Sequence, residues 1–369
     1  MILNNKHLPM AALTTGQNSK THTGTDIPPT TFKTGLSGAR THLGGKCTQQ
    51  DCGFSLKTQF YSVLAVFDGH GNDGFSNAAM ATAKSYVSRP VFYEELKQDA
   101  QKTAETLFAA MQRSNFEFVL ERLQHKGVEH EVRDGHIFCK NTDRLRGGTT
   151  ATLVIVDVYG LVTTMNVGDS DAWMHSASVS TKLTAEHSVE TPEEYERLMA
   201  LSRDPESPTN VRCLYDRPAM MMSMGVSDDI PADAVHGKKD LCPYYVSNMD
   251  GKPATILAVT DEHGSTYKLA MSRAIGDENL RKGGLISTPS VSQHQITESC
   301  VIKIASDGYW DAIKSSVELS KTNDAIARLG MDPDKLASDW FVKTKAVSDR
   351  EFRGSGDNMW GYVAAVSLN

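Results

Sequence analysis

Cysteine is scarce in this sequence, and its spacing excludes two common uses of the residue. Six cysteines are scattered over 369 residues, and none of them forms a C-x-x-C pair. Cys47 and Cys52 lie close together, but no second pair with the spacing of zinc ligands follows them. In a chain of this length without a secretion signal, we expect free thiols rather than a disulfide framework.

Long apolar runs and blocks of basic residues are also missing. No apolar run reaches the roughly 18 residues of a membrane-spanning helix, and residues 1–12 contain no basic segment followed by an apolar core. The chain has 38 Lys and Arg against 45 Asp and Glu, so its formal net charge is −7. We therefore expect no membrane span, no nucleic-acid partner, and a soluble intracellular protein of the cytoplasm or nucleus.

The composition that is present, 40% hydrophobic and 22% charged, is that of a globular protein with a substantial core. Residues 1–40 are rich in Thr, Ser, Gly and Asn without an apolar period, and we predict a flexible or loosely docked arm. Apolar residues recur at helical spacing over residues 73–87 and over residues 92–124, which predicts two helices. Runs rich in β-branched residues predict strands at 150–158 and 161–167, which form a hairpin, and at 255–260, 301–305 and 362–367.

Residues 191–250 lack this regularity. The stretch contains six prolines and the cluster Met220-Met221-Met222. We predict a large surface excursion with one short helix near residues 193–201, because loops of this length are usually functional or disordered. The methionines suit either a plastic contact surface or the filling of gaps in a core, and we favour the second.

Acidic residues accompany the apolar runs with unusual regularity. The run from Phe60 to Phe67 leads directly into Asp68-Gly69-His70-Gly71. A carboxylate at the end of a buried strand costs free energy unless it is hydrogen-bonded or bound to a cation, and a glycine lets the backbone approach an ion closely. Any one such acid is explained by a turn, which Asp favours. Together, six acids near glycine and an apolar run predict a carboxylate cage: Asp51, Asp68, Asp169, Asp277, Asp307 and Asp357.

A cage of carboxylates selects hard divalent cations, Mg²⁺ or Mn²⁺, over zinc. Two such ions about 3.5–4 Å apart form the usual clamp for phosphate hydrolysis, because they neutralise the phosphoryl oxygens and convert a shared water into hydroxide. The acids therefore predict a metal-dependent hydrolysis of phosphate esters.

Seven short motifs follow one another along the chain from about residue 40 to the C-terminus. They are Gln50-Asp51, Asp68-Gly69-His70-Gly71, Gly147-Gly148-Thr149-Thr150-Ala151, Asn166-Val167-Gly168-Asp169-Ser170, Ser272-Arg273-Ala274-Ile275-Gly276-Asp277, Ser306-Asp307-Gly308 with Trp310-Asp311, and Asp357-Asn358. In these motifs and their order, the sequence resembles the metal-dependent protein phosphatases of type 2C, the PPM family. The resemblance implies a phosphatase domain over residues 41–369 with an α+β fold, a four-layer α-β-β-α sandwich of two antiparallel sheets flanked by helix pairs.

The resemblance also implies an activity, which is the removal of phosphate from phosphoserine and phosphothreonine in proteins. The phosphatase would use two Mg²⁺ or Mn²⁺ ions and a weaker third one. Asp68 would bridge the metals, His70 would be the general acid that protonates the leaving oxygen, and Lys46 would bind the phosphate. The stretch at 191–250 would be the family's flap, where substrate and regulator make contact. The metal ligands would be Asp51, Asp68, the carbonyl of Gly69, Asp277, Asp307 and Asp357, with Asp169 at the weaker third site.

Two hypotheses from different classes follow. In the first, a hydroxide that bridges the metals attacks phosphorus directly, so there is no phosphoenzyme and no nucleophilic Ser or Cys is needed. In the second, the protein is a pseudophosphatase that acts as a regulatory binding module. The second hypothesis rests on the large flap and on Asp171, which stands where the family usually has Arg. Every core ligand implied by the resemblance is present, which favours the first hypothesis.

Overall fold

The computed structural model describes residues 31–140, 142–188, 191–202, 210–215, 244–245, 256–260, 266–313, 318–352 and 356–368. Among these residues, no helix has the length and apolarity needed to cross a membrane. The helices are α1 (Asp73–Val87), α2 (Phe92–Gln98), α3 (Ala100–His125), α4 (Pro192–Ser202), α5 (Asp307–Trp310), α6 (Glu318–Leu329) and α7 (Pro333–Glu351). The strands are β1 (Phe32–Leu36), β2 (Arg40–His42), β3 (Cys52–Lys57), β4 (Tyr61–Phe67), β5 (Gly69–His70), β6 (His130–Arg133), β7 (His136–Cys139), β8 (Gly148–Thr149), β9 (Ala151–Asp157), β10 (Leu161–Val167), β11 (Asp171–His175), β12 (Ser180–Lys182), β13 (Asn210–Tyr215), β14 (Tyr244–Tyr245), β15 (Ile256–Thr260), β16 (Thr266–Leu269), β17 (Ile275–Gly276), β18 (Ser290–Gln295), β19 (Cys300–Ala305) and β20 (Met359–Leu368).

Two antiparallel sheets form the centre of the fold. Sheet I has the strand order β1-β20-β19-β11-β12, with β2 also paired to β20, and sheet II has the order β18-β10-β9-β4-β3. Every residue of β4, β9 and β19 is buried, as expected for short apolar runs that are covered on both faces.

Side chains on the two faces of each sheet enter different cores. Leu64 and Val66 of β4 pack between the sheets against residues of sheet I that include Ile302 and Ile304. Val63, also of β4, points to the other face and packs with residues of α1, α2 and α3. The outer face of sheet I packs in the same way against α6 and α7. These layers confirm the predicted four-layer sandwich.

The predicted elements need three corrections. The helix predicted over residues 92–124 is two helices, because Asp99 is extended (φ −159°, ψ 95°) and its carboxylate caps α3 by accepting from the Lys102 backbone N–H at 2.9 Å. The arm was predicted to extend to residue 40, but regular structure begins at Phe32, because β1 and β2 both pair with β20. The excursion contains strands β13 and β14 besides the predicted helix, and Met220-Met221-Met222 lies outside the described residues.

Candidate metal and phosphate site

Strand register brings the predicted acids to one edge of the sandwich. Cys52 pairs with Phe67, so Asp51 precedes one strand and Asp68 follows its neighbour at the same end. In sheet I, Ala305 pairs with Gly361, which brings the start of α5 beside the start of β20 in the same manner. The antiparallel topology therefore collects residues that are far apart in sequence.

Asp68 is fixed at this edge by the threonines of the Gly147–Ala151 motif. Its backbone N–H donates to Thr150 Oγ1 at 3.0 Å, and its carbonyl accepts from the Thr150 N–H at 2.8 Å and from Thr149 Oγ1 at 2.9 Å. The next residue, Gly69, pairs with Thr149, and a Cβ at Gly69 would collide with the carbonyl oxygen of Gln50. Only glycine therefore allows the chain to pass here.

Carboxylates near Asp68 interact strongly with one another. Burial raises the pKa of Asp68 well above its ordinary value, and the charges of Asp51, Asp307 and Asp169 raise it further. Burial also raises the pKa of Asp51 and of Asp169, and in both cases the charge of Asp307 adds to the effect. The backbone N–H of Asp307 contacts Asp68 Oδ2 at 3.4 Å. A cation among these groups would favour their ionised forms and reverse these shifts.

Two buried oxygens test whether a cation fits this edge. Asp51 Oδ2 and Asp169 Oδ1 have no hydrogen-bond partner among the described residues. An unsatisfied buried acceptor is costly, and carboxylate oxygens are the ligands that Mg²⁺ and Mn²⁺ prefer, so the chemistry of the donor set fits a hard divalent ion. The geometry is not a finished cage, because no group of three or more His, Cys, Asp or Glu side chains in the described chain is placed to hold a metal ion as it stands.

Asp277 forms a close contact with a histidine, His70, rather than with the other predicted metal ligands. His70 Nε2 lies 2.6 Å from Asp277 Oδ2, and Gly147 N–H donates to Asp277 Oδ1 at 3.3 Å. Burial would lower the pKa of His70, but the charge and hydrogen bond of Asp277 outweigh it, so the pKa is raised. Asp277 has a positive φ of 49°, an uncommon conformation for a non-glycine residue that is typical of functional sites.

Lys46 reaches the same edge through a packed loop. A Cβ at Gly44, which has φ 62°, would collide with the carbonyl oxygens of Gly356 and Asp357. The Lys46 ammonium lies 3.1 Å from Asp357 Oδ1, and both side chains are partly exposed, at 44% and 40%. The structure thus brings Lys46 to the site, where its partner is one of the predicted metal ligands.

Asp171, the departure from the family pattern, is bound by protein groups. One of its oxygens accepts from Thr184 Oγ1 at 2.7 Å, and the other lies 2.8 Å from the Lys182 ammonium. Lys182 also lies 2.7 Å from Glu186 Oε2. The sequence did not indicate Lys182, because only the pairing of β11 with β12 brings it to Asp171.

A buried ionic network that the sequence did not indicate lies behind the Asp277 segment. Glu194 of α4 is 2% exposed and accepts hydrogen bonds from Ser272 Oγ at 2.6 Å, Arg273 Nε at 2.7 Å and Arg197 Nη2 at 2.7 Å. Burial would raise the pKa of Glu194, but these bonds lower it to about 2. A glutamate in the first turn of a helix is ordinary, so the sequence contained no signal for this role.

Comparison with known proteins identifies the class of protein. The family model for protein phosphatase 2C matches residues 40–204 and 254–339. These residues make up more than half of the chain, which therefore belongs to the protein phosphatase 2C family. The resemblance predicted from the motifs is confirmed.

Individual relatives of this chain are also protein phosphatases 2C, at modest sequence identity. The chain is 26% identical over 283 residues to probable protein phosphatase 2C 73 of Arabidopsis thaliana, an alignment that covers 74% of this chain and 64% of the relative. It is also 26% identical over 294 residues to probable protein phosphatase 2C 34 of the same plant, covering 76% of this chain and 67% of the relative. The chain thus spans about two thirds of the length of these relatives.

Solved structures show the same fold. The crystal structure of serine-threonine phosphatase 2C from Toxoplasma gondii superposes with a TM-score of 0.58 at 17% identity, covering 92% of this chain and 98% of that one. The structure of a C. elegans sex determining protein superposes with a TM-score of 0.54 at 17% identity, covering 90% of this chain and 64% of that one. Likeness at this identity supports the sandwich architecture alone.

Proposed function

We propose that this chain is a metal-dependent protein serine/threonine phosphatase that acts on phosphoserine and phosphothreonine in proteins. The observation that carries the proposal is the set of mutually interacting carboxylates at one edge of a protein phosphatase 2C fold, two of which keep a buried oxygen without a protein partner. The flap is the proposed place for contacts with substrate and with a regulator.

The acids of this edge would hold the ions. Asp68, Asp51, Gly69 through its carbonyl, Asp277, Asp307 and Asp357 would hold two ions, and Asp169 would serve a third, weaker site. Two Mg²⁺ or Mn²⁺ ions, when bound, would neutralise the phosphoryl oxygens and supply hydroxide as the nucleophile.

The remaining roles belong to Lys46 and His70. Lys46 would bind a phosphoryl oxygen with its ammonium, which extends from a loop packed against residues 356–358. His70 would deliver a proton from Nε2 to the departing seryl or threonyl oxygen. Asp277 supports that role because it favours the protonated imidazole and holds the ring in place.

Phosphate release from a phosphothreonine peptide tests the proposal. We expect release to require Mn²⁺ or Mg²⁺ and to stop on addition of EDTA. Titration calorimetry of Mn²⁺ into the protein provides a second measurement that does not depend on turnover. Full activity in a rigorously metal-free sample would contradict the proposal, and so would the absence of Mn²⁺ binding.

The alternative of a pseudophosphatase gains no support from the site. Asp171, which motivated it, is held by Lys182 and Thr184, and no implied core ligand is replaced.

A further inference from the structure

A groove of about 600 Å³ lies next to the candidate site. One wall is a face of α3 that carries Gln112, Arg113 and Phe116, which recur at helical spacing. The facing wall includes Glu278, Arg281 and residues 285–288. This volume lies within the range of about 300–1,000 Å³ that is usual for ligand sites.

The facing wall is held in place by polar contacts with α3. Gln112 Oε1 accepts from the Gly276 N–H at 2.9 Å, and Gln112 Nε2 donates to Glu278 Oε1 at 2.7 Å. Arg281 donates to the carbonyls of Gly276 and Ala274 at 2.9 and 2.7 Å and also contacts Gln112. The groove is therefore a built feature of the fold rather than a gap between loose segments.

The groove adjoins the candidate site through the segment that carries Asp277, because Glu278 lines the groove. Gly276 and Glu278 flank Asp277, whose carboxylate contacts His70, the proposed proton donor. A polypeptide whose phosphorylated residue lies at the carboxylate edge can therefore place a neighbouring residue between α3 and the segment that follows Asp277.

One charge in the groove remains available to a ligand. Glu278 and Arg281 are engaged in the contacts described above, whereas Arg113 is exposed and makes no ion pair or hydrogen bond within the described part of the chain. Beside it, Phe116 and Ile286 are half-buried apolar side chains. The complementary ligand combines a carboxylate with apolar surface.

We propose that this groove binds the segment of the phosphoprotein substrate that flanks the phosphorylated residue, and that Arg113 selects an acidic side chain in that segment. This inference rests on the proposed function, because it names a subsite for the same substrate. Arg113 is a specificity-determining residue here and takes no part in the cleavage of the phosphate ester.

Matched phosphothreonine peptides test the proposal. Each carries Glu, Ala or Lys at one position, scanned over four residues on either side of the phosphothreonine. We expect the wild type to prefer Glu over Lys at one or more positions on one side, by about three- to fivefold in KM, the size of a partly exposed ion pair. Arg113→Ala should abolish the preference, and Arg113→Glu should reverse it, with turnover of an aryl phosphate unchanged.

A matched variant separates local from general charge effects. Arg350→Glu makes the same charge change at an exposed residue of α7, which packs on the other sheet; its ion-pair partner Glu351 is also exposed, and the variant should keep the wild-type preference. The proposal is overturned if the wild type shows no flanking preference, if Arg113→Glu retains it, or if Arg113→Glu slows peptide and aryl phosphate equally. A wild type that hydrolyses neither substrate overturns the proposed function as well, so the two failures are distinguishable.

Discussion

His70 and Asp277 illustrate how a pair of side chains acquires a role that neither has alone. Their contact at 2.6 Å raises the pKa of the imidazole although the ring is removed from solvent. A histidine held in its protonated form can donate a proton to an alkoxide leaving group, and an aryl oxide needs no such help. The role of this pair can therefore be tested by comparing substrates that differ in their leaving group.

His70→Ala should slow hydrolysis of a phosphothreonine peptide by about 10²- to 10⁴-fold, the usual contribution of a general acid. It should slow hydrolysis of p-nitrophenyl phosphate far less, because that leaving group departs as a stable anion. The measurement is kcat/KM for both substrates at saturating Mn²⁺. Equal losses on the two substrates would remove His70 from the acid role.

Asp307→Asn should abolish turnover and weaken Mn²⁺ binding while leaving the fold intact, because the change removes a ligand charge without altering size. Asp307 is central to the electrostatics of the site, since its charge acts on Asp51, Asp68 and Asp169. Asp324→Asn, on the exposed face of α6, is the matched control and should match the wild type. Near-normal kcat at saturating metal in Asp307→Asn would count against the assignment.

Residue types at this edge were predictable from the sequence, but their partners were not. Asp68 and Asp307 could be identified because each follows an apolar run and precedes a glycine. The contacts of Lys46 with Asp357 and of Lys182 with Asp171 depend on which strands pair and in what register, and this long-range information is absent from local pattern.

Among the elements, α4 is linked to the segment that carries Asp277 through the buried carboxylate of Glu194, beside further contacts of Arg197 with the carbonyls of Ser272 and Gly284. Glu194→Gln should loosen this link, because it leaves Arg273 and Arg197 without their counter-charge, and breaking a buried pair typically costs about 3–5 kcal/mol. We expect faster hydrogen exchange in α4 and a higher KM for phosphoprotein. Glu193→Gln, one residue earlier and exposed, is the control. Unchanged exchange in Glu194→Gln would show that α4 is held by other contacts.

His187 joins the end of β10 to the start of β18 and should make the fold sensitive to acid. Its Nδ1 accepts from the Gly168 N–H at 3.1 Å and its Nε2 donates to Ser290 Oγ at 2.9 Å, so the ring is neutral. Burial, followed by the charge of Arg273, lowers its pKa to about 3. Because the unfolded histidine has a pKa near 6.5, the unfolded chain binds more protons between these values. The contribution of His187 to the free energy of unfolding is therefore fully present above about pH 6.5 and is lost as the pH falls toward 3. At pH 5 the loss is about 2 kcal/mol.

Urea unfolding at pH 7.5 and pH 5 measures this loss. The wild type should have a lower free energy of unfolding at pH 5 than at pH 7.5. In His187→Gln this difference should be smaller by about 2 kcal/mol, which is the contribution expected of His187. His175, whose pKa burial and then Lys303 lower to about 3, should account for a similar remaining share. His294→Gln removes a histidine from β18 and serves as the control. An unchanged pH dependence in His187→Gln would contradict the assignment.

At the scale of the whole molecule, the sandwich was predictable in outline and its helical layers only in part. Strands β9 and β10 were predicted to within a few residues, because strands that are buried along almost their whole length read as short apolar runs rich in β-branched residues. Helix α7 had a weak signal, since Thr344 and Ser348 are among the side chains that it buries. The split between α2 and α3 depends on the conformation of Asp99, and an apolar period does not record a capping residue.

Metal removal should be visible in the stability of the entire fold, because the acids at this edge repel one another when no cation is bound. A ligand that binds only the folded state adds RT ln(1 + [L]/Kd), which is about 2.7 kcal/mol at one hundred times Kd. We expect Mn²⁺ to raise the thermal midpoint by several degrees and EDTA to reverse the rise. Asp307→Asn should show a smaller rise because it removes a ligand charge, whereas Asp324→Asn should show the full one. Since unfolding midpoints do not depend on turnover, an equal rise in the wild type and in Asp307→Asn would place the stabilising ion away from the carboxylate edge.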